Sequence, residues 1–275
     1  MSTQLRTLLM DRLDRLRHEP IQKRIRATLG DETVVDSTRA LVVWEPKRVV
    51  PQYAVPEADI AAEIVSGGEA AGAAPSDADV PHVLGRPVLD PSIPFAVHTT
   101  DGEPVTVRAR GTGREAAGFR PADPDLAGHV ILDFMSFDAW YEEDERNVSH
   151  PRDPFHRIDV LRSSRHVRIE RDGEVLAEST RPYLLFEPPL PVRYYLPRED
   201  VRAELTPSDR RTACAYKGEA SYWSVAGAEA VAWSYPAPLR EAAEIVDRVA
   251  FFNEQVDVIV DGVRHQRPVT PWSPR

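Results

Sequence analysis

Six side chains in the second half of this 275-residue chain, Glu187, Arg193, Tyr195, Lys217, Tyr222 and Tyr235, could act together on one ligand. Arginine offers a planar fork of donors and lysine a point charge, and both suit a carboxylate or a phosphate. Tyrosines give a flat wall with a hydroxyl at its rim. In the leading reading, Arg193 and Lys217 hold the negative group of a small polar or anionic molecule. Glu187 orients Arg193 or accepts a ligand hydrogen bond, and the three tyrosines wall the pocket. Lys217 is one of only three lysines, with Lys23 and Lys47, among 34 basic residues. Gly218, next to it, lets a ligand approach the backbone closely. Two other readings use the same residues. In an enzyme, Lys217 is the acid, base or imine-forming amine, Tyr235 a proton donor and Glu187 a general base. That role requires Lys217 to titrate well below an ordinary lysine. In a structural or partner-binding protein, Glu187 pairs with Arg193 or Arg181 at a sheet edge and Lys217 is solvated.

Other reactive residue types give less. Cys214 has no base marked out for it, and a lone cysteine in apolar surroundings packs as a small hydrophobe. With one cysteine there is no disulfide framework and no cysteine-paired zinc site. His150 and His156 bracket Asp153, but prolines flank them and no helix sets them four residues apart, so no metal is expected. Gly111-Thr112-Gly113 lacks the further glycines of a dinucleotide loop and reads as a hairpin turn. No cofactor is implied.

The elements that must position these residues are written twice. Ser37-Thr38-Arg39, five residues, then Glu45-Pro46 recurs 142 positions later as Ser179-Thr180-Arg181, five residues, then Glu187-Pro188. Tyr53-Ala54-Val55-Pro56 likewise returns as Tyr194-Tyr195-Leu196-Pro197, one residue out of step. A repeat of that length is domain-sized, so two tandem, mainly β domains are expected, 1–148 and 149–275. Alternation at Val167–Glu170, then Asp172-Gly173, signals a tight hairpin. Further strands are expected at Tyr183–Phe186, Ala220–Val225, Val231–Tyr235, Val249–Phe252 and Val256–Val260. Helical spacing marks Leu239–Arg248, and also Leu5–Arg17 through Leu5, Leu9, Leu13 and Leu16. Pro56 and Pro197 each open a short helix. Ala70–Asp79 reads as a loop. Aligning the copies sets Asp101 under Lys217, His98 under Cys214, and Pro51 or Gln52 opposite Arg193. The first copy keeps Glu45 but loses the lysine, the arginine and the aromatic pair, so a single site belongs to the second.

The net charge is −10. Residues 1–150 hold 16 basic and 25 acidic side chains, the remainder 18 and 19. Such a field repels phosphate backbones, so nucleic acid is not an expected partner. The apolar runs are too short to span a bilayer, and the N-terminus lacks a signal-peptide core. A cytoplasmic protein is expected.

Glu187, Arg193-Tyr194-Tyr195-Leu196-Pro197, Cys214-Ala215-Tyr216-Lys217-Gly218, Tyr222-Trp223 and Trp233-Ser234-Tyr235 together resemble a bacterial family known as domain of unknown function 427. The resemblance covers residues 155–262 and, more weakly, 20–145 as a tandem pair. It implies a β-tent fold, two small antiparallel sheets meeting at an angle, here without zinc, and it implies no reaction. Ala215 stands where the family usually has proline. No Gly-Ser pair followed by paired carboxylates supports the nucleotidyltransferase label also attached to the family.

Overall fold

The computed structural model describes residues 2–67, 72 and 74–273. Ala70, Ala71 and Ala73 of the expected 70–79 loop lie outside the described residues. By its contacts the chain divides into two compact units, Met1–Pro154 and Phe155–Arg275. Both are mainly β, with every strand ladder antiparallel.

The first unit opens with an α-helix, Leu5–Met10, then β1 (Arg17–Pro20), β2 (Ile25–Leu29), β3 (Glu32–Ser37), β4 (Leu41–Trp44), β5 (Gln52–Pro56) and β6 (Glu63–Ser66). A two-stranded ribbon, β7 (His82–Val83) and β8 (Arg86–Pro87), precedes β9 (Gly102–Arg108), β10 (Glu115–Pro121), β11 (His129–Leu132), β12 (Ala139–Glu142) and β13 (Glu145–Asn147). The second unit runs β14 (Asp159–Arg162), β15 (Val167–Arg171), β16 (Glu174–Ser179), β17 (Tyr183–Phe186) and β18 (Arg193–Pro197). It continues with β19 (Thr206–Cys214), β20 (Gly218–Val225), β21 (Ala228–Ser234), β22 (Arg248–Phe251), β23 (Asp257–Val260) and β24 (Val263–Arg264).

Each unit holds one seven-stranded and one four-stranded sheet, and the connectivity is the same. The large sheets run β1-β4-β5-β11-β10-β9-β6 and β14-β17-β18-β22-β21-β20-β19. The small ones run β13-β12-β2-β3 and β24-β23-β15-β16. Replacing each strand of one unit by its counterpart reproduces the other.

In the second unit the two sheets share a core of Val167 and Ile169 from β15, Leu184, Tyr194 and Leu196 from the centre of the large sheet, and Val258 and Val260 from β23. The opposite face of the large sheet carries a second apolar layer with Leu185, Tyr195, Tyr222, Trp233, Tyr235 and Phe252. Because both faces are covered, all five residues of β18 are buried, as expected for an interior strand. Its alternation sends Tyr194 and Leu196 to one layer and Tyr195 to the other. The candidate residues gather at the second layer.

Local signals explain the turns. Asp172 and Gly173 sit at φ 51° and 85°, the pairing a tight hairpin with matching twist demands. Ser37 and Ser179 each accept a hydrogen bond from the backbone N–H two residues on, at 3.0 and 3.1 Å. Arg39 then pairs with Asp59, and Arg181 with Glu199 and Asp200. The repeated Ser-Thr-Arg is therefore a strand-end clasp onto the 3₁₀ turns at Glu57–Asp59 and Arg198–Asp200. One expectation fails: the N-terminal helix stops at Met10 and Arg17–Pro20 is extended, because β1 pairs with β4. Leu13 is buried while Leu5, Leu8 and Leu9 stay exposed. Leu239–Arg248 yields a 3₁₀ turn over Arg240–Ile245 and a strand from Arg248. No described helix is long and apolar enough to cross a membrane.

Candidate functional site

Glu187 follows the last residue of β17, Tyr195 lies mid-β18, Lys217 closes the turn between β19 and β20, and Tyr235 comes just after β21. The strand order brings these four together. Lys217 Nζ donates to Glu187 Oε2 at 2.5 Å, and His156 Nε2 lies 3.6 Å from Glu187 Oε1. Lys217 is 8% exposed and Tyr235 5%. Burial opposes ionisation of Glu187, yet Lys217 and His156 more than offset it and lower its carboxyl to about 2. Burial works against the Lys217 charge too, but Cys214, Glu187, Tyr235 and Tyr195 outweigh it and hold the amine well above the usual lysine range. Burial likewise raises both phenols, Tyr195 and Tyr235, above the ordinary tyrosine value. At neutral pH the cluster is therefore an ammonium–carboxylate pair between two protonated phenols.

Its hydrogen bonding is incomplete. An ammonium carries three donors, and among the described residues Lys217 finds one side-chain acceptor, Glu187. Tyr195 accepts from Trp233 Nε1 at 3.0 Å. The Tyr235 hydroxyl has no hydrogen-bond partner among the described residues. The Tyr235 hydroxyl is not among the fully buried unpaired atoms, so its spare hydrogen-bonding capacity is open to solvent.

Arg193 does not join the cluster. Its guanidinium forks onto Glu254, with both bonds at 2.8 Å. Trp233, Phe252 and Trp272 surround it with ring centroids 5.5, 5.9 and 5.6 Å away. Thr270 donates a further bond to Glu254 at 2.6 Å. The expectation that Glu187 orients Arg193 is thus corrected: Glu254 does so, and Arg193 is spent on a buried ion pair. Arg181 does not pair with Glu187 either, and Lys217 is not solvated. Tyr222 also stands apart, its hydroxyl 2.9 Å from Thr212 Oγ1 and its ring stacked on Phe252. Gly218 is needed at φ +94°, where an added Cβ would lie 3.2 Å from the Ala237 carbonyl. The chain's own 237–239 segment makes a close approach there.

The first unit shows what its counterpart of Glu187 does without a lysine. Glu45, fully buried, accepts from the backbone N–H of Thr99 at 2.9 Å and of Thr100 at 3.3 Å, and faces His98 Nδ1 at 2.9 Å. Backbone amides and His98 thus surround the Glu45 carboxylate. Two residues of the second unit escape sequence reasoning. His156 reads there only as a linker residue, and Glu254 follows an apolar strand with nothing to mark it. Its distance of 61 positions from Arg193 hides the pair. Among the described residues no group of three or more histidine, cysteine, aspartate or glutamate side chains could hold a metal ion.

No curated protein matches the chain. Residues 159–262, which span β14 to β23 and include Glu187, Arg193, Tyr195, Lys217, Tyr222 and Tyr235, match the family model described as Domain of unknown function (DUF427).

Proposed function

We propose that the second unit binds a small polar or anionic molecule at the Glu187–Lys217 pair, and that the first unit is a copy of the same domain that has lost this site. The carrying observation is the buried ammonium of Lys217, satisfied on one side only, next to the unpartnered hydroxyl of Tyr235. A carbonyl or carboxylate oxygen of the ligand accepts from both, while a ligand donor meets Glu187. Tyr195 and Tyr235 supply the walls. Arg193 supports the aromatic floor through Trp233 and makes no ligand contact. The matching strand orders of the two units support the copy relationship. The closure of Glu45 by backbone amides supports the loss of function in the first. Acid–base or imine chemistry finds less support, since an amine used as a base or nucleophile must shed its proton, and this one is held protonated. A composition with one cysteine suits a reducing cytoplasm.

A thermal-shift screen over small polar carbonyl and carboxyl compounds tests the reading. Compounds that stabilise the wild type should lose their effect in Tyr235→Phe, which removes one hydroxyl and no native hydrogen bond. Hits that stabilise Tyr235→Phe equally would place binding elsewhere.

A further inference from the structure

The large sheet of the second unit departs from regularity at one place, and its counterpart does not. Between β19 and β20 the partners are Pro207↔Trp223 and then Arg211↔Ser221, so Ser208, Asp209 and Arg210 face Tyr222 alone. Between β20 and β21 they are Trp223↔Ala232 and Val225↔Ala228, so 229–231 face Ser224 alone. Two bulges thus flank one strand. In the first unit, β9 pairs with β10 and with β6 residue for residue, without a shift. Bulges gather beside functional sites because they re-aim side chains and interrupt pairing. The second bulge is held in place: Ala230 adopts φ 48° without being glycine, and its N–H donates to Ser224 Oγ at 3.0 Å.

The bulges open a cleft of about 620 Å³ that Ser208, Asp209, Arg210, Ser224, Glu229 and Ala230 help to line, a volume typical of small-molecule sites. Its charges are mixed. The Arg210 guanidinium lies 4.3 Å from the Tyr222 ring centroid and 5.8 Å from that of Phe252, which anchors it beside the cleft. Arg210, Asp209 and Glu229 form no ion pair among the described residues. A cleft offering one guanidinium and two carboxylates complements a ligand with charges of both signs.

We infer that this cleft is a second binding site, distinct from the Lys217 cluster, for a small zwitterion of amino-acid or short-peptide size. Its carboxylate docks on Arg210 and its ammonium lies between Asp209 and Glu229. The test is an NMR titration of the full ¹⁵N-labelled chain with L-alanyl-L-alanine, beside its N-acetylated and C-terminally amidated forms. The free dipeptide should give saturable shifts at the amides of 208–210 and 224–230. Blocking either terminus, or introducing Arg210→Gln or Glu229→Gln, should weaken binding roughly fivefold or more. Tyr235→Phe should leave it unchanged. Both substituted positions are exposed, so an unaltered spectrum elsewhere verifies the fold. Absence of saturable shifts, or shifts indifferent to the blocked termini or to Arg210→Gln, would overturn the assignment.

Discussion

Lys217 and Glu187 keep their charges in a nearly closed site because each faces the other, and that mutual dependence sets what substitution does. Removing one partner leaves an uncompensated buried charge. Glu187→Gln should therefore destabilise the second unit by about 3–5 kcal/mol. Taking both away in Glu187→Gln/Lys217→Met should recover much of that loss, since a buried pair replaced by neutral side chains of similar volume is often near neutral. Urea titrations of the three proteins check the order. Arg193 and Glu254 form a second pair of the same kind, so Arg193→Met should also cost about 3–5 kcal/mol, while leaving ligand contacts at Lys217 in place. Tyr235→Phe breaks no bond and should change stability by less than about 1 kcal/mol. An equal loss from Tyr235→Phe and Glu187→Gln would mean that the phenol is a structural element rather than a waiting donor.

At the scale of elements, the turns carry the site more than the strands do. Gly218 holds the β19–β20 turn at a positive φ against the 237–239 segment, so Gly218→Ala should cost about 1–3 kcal/mol and displace Lys217. At Ala230 the reverse holds, and Ala230→Gly should cost nothing or stabilise slightly, readable as an unchanged or higher Tm. The elements are also the most legible level of the sequence. Asp172-Gly173 announces its hairpin because so few residue pairs accept positive φ together. The motif recurrence 142 positions apart is visible because it falls on the strand-end clasps and buried strands. Leu5–Arg17 misleads because leucine spacing cannot foresee that the sheet recruits Arg17–Pro20 as its edge strand. The two bulges are hidden for a related reason: a bulge interrupts the alternation by which strands are read. Within the site, Glu187, Tyr195, Lys217 and Tyr235 are legible as a group. The diversion of Arg193 to Glu254 is not, because an ion pair 61 positions apart is decided by tertiary packing.

For the whole molecule, each unit has its own buried core, so residues 155–275 expressed alone should unfold cooperatively and keep the ligand response of the full chain. Acid stability follows from the same cluster. Glu187 has a folded value near 2 against an ordinary 4.5, so the unfolded chain binds the extra proton between these limits. Its contribution, about 3 kcal/mol, is complete above pH 4.5 and is lost as the pH falls toward 2. Wild type should lose stability in that window faster than Glu187→Gln/Lys217→Met. The central claim, a polar ligand held by Lys217 and Tyr235, is met most directly by native and then denaturing mass spectrometry of freshly purified protein. Wild type, Tyr235→Phe and Glu187→Gln/Lys217→Met should be weighed together. The expected result is extra mass on the native wild type that disappears on denaturation and is missing from both variants. An adduct retained undiminished by both variants, or a bare polypeptide in all three that also resists every carbonyl and carboxyl compound of the screen, would contradict it.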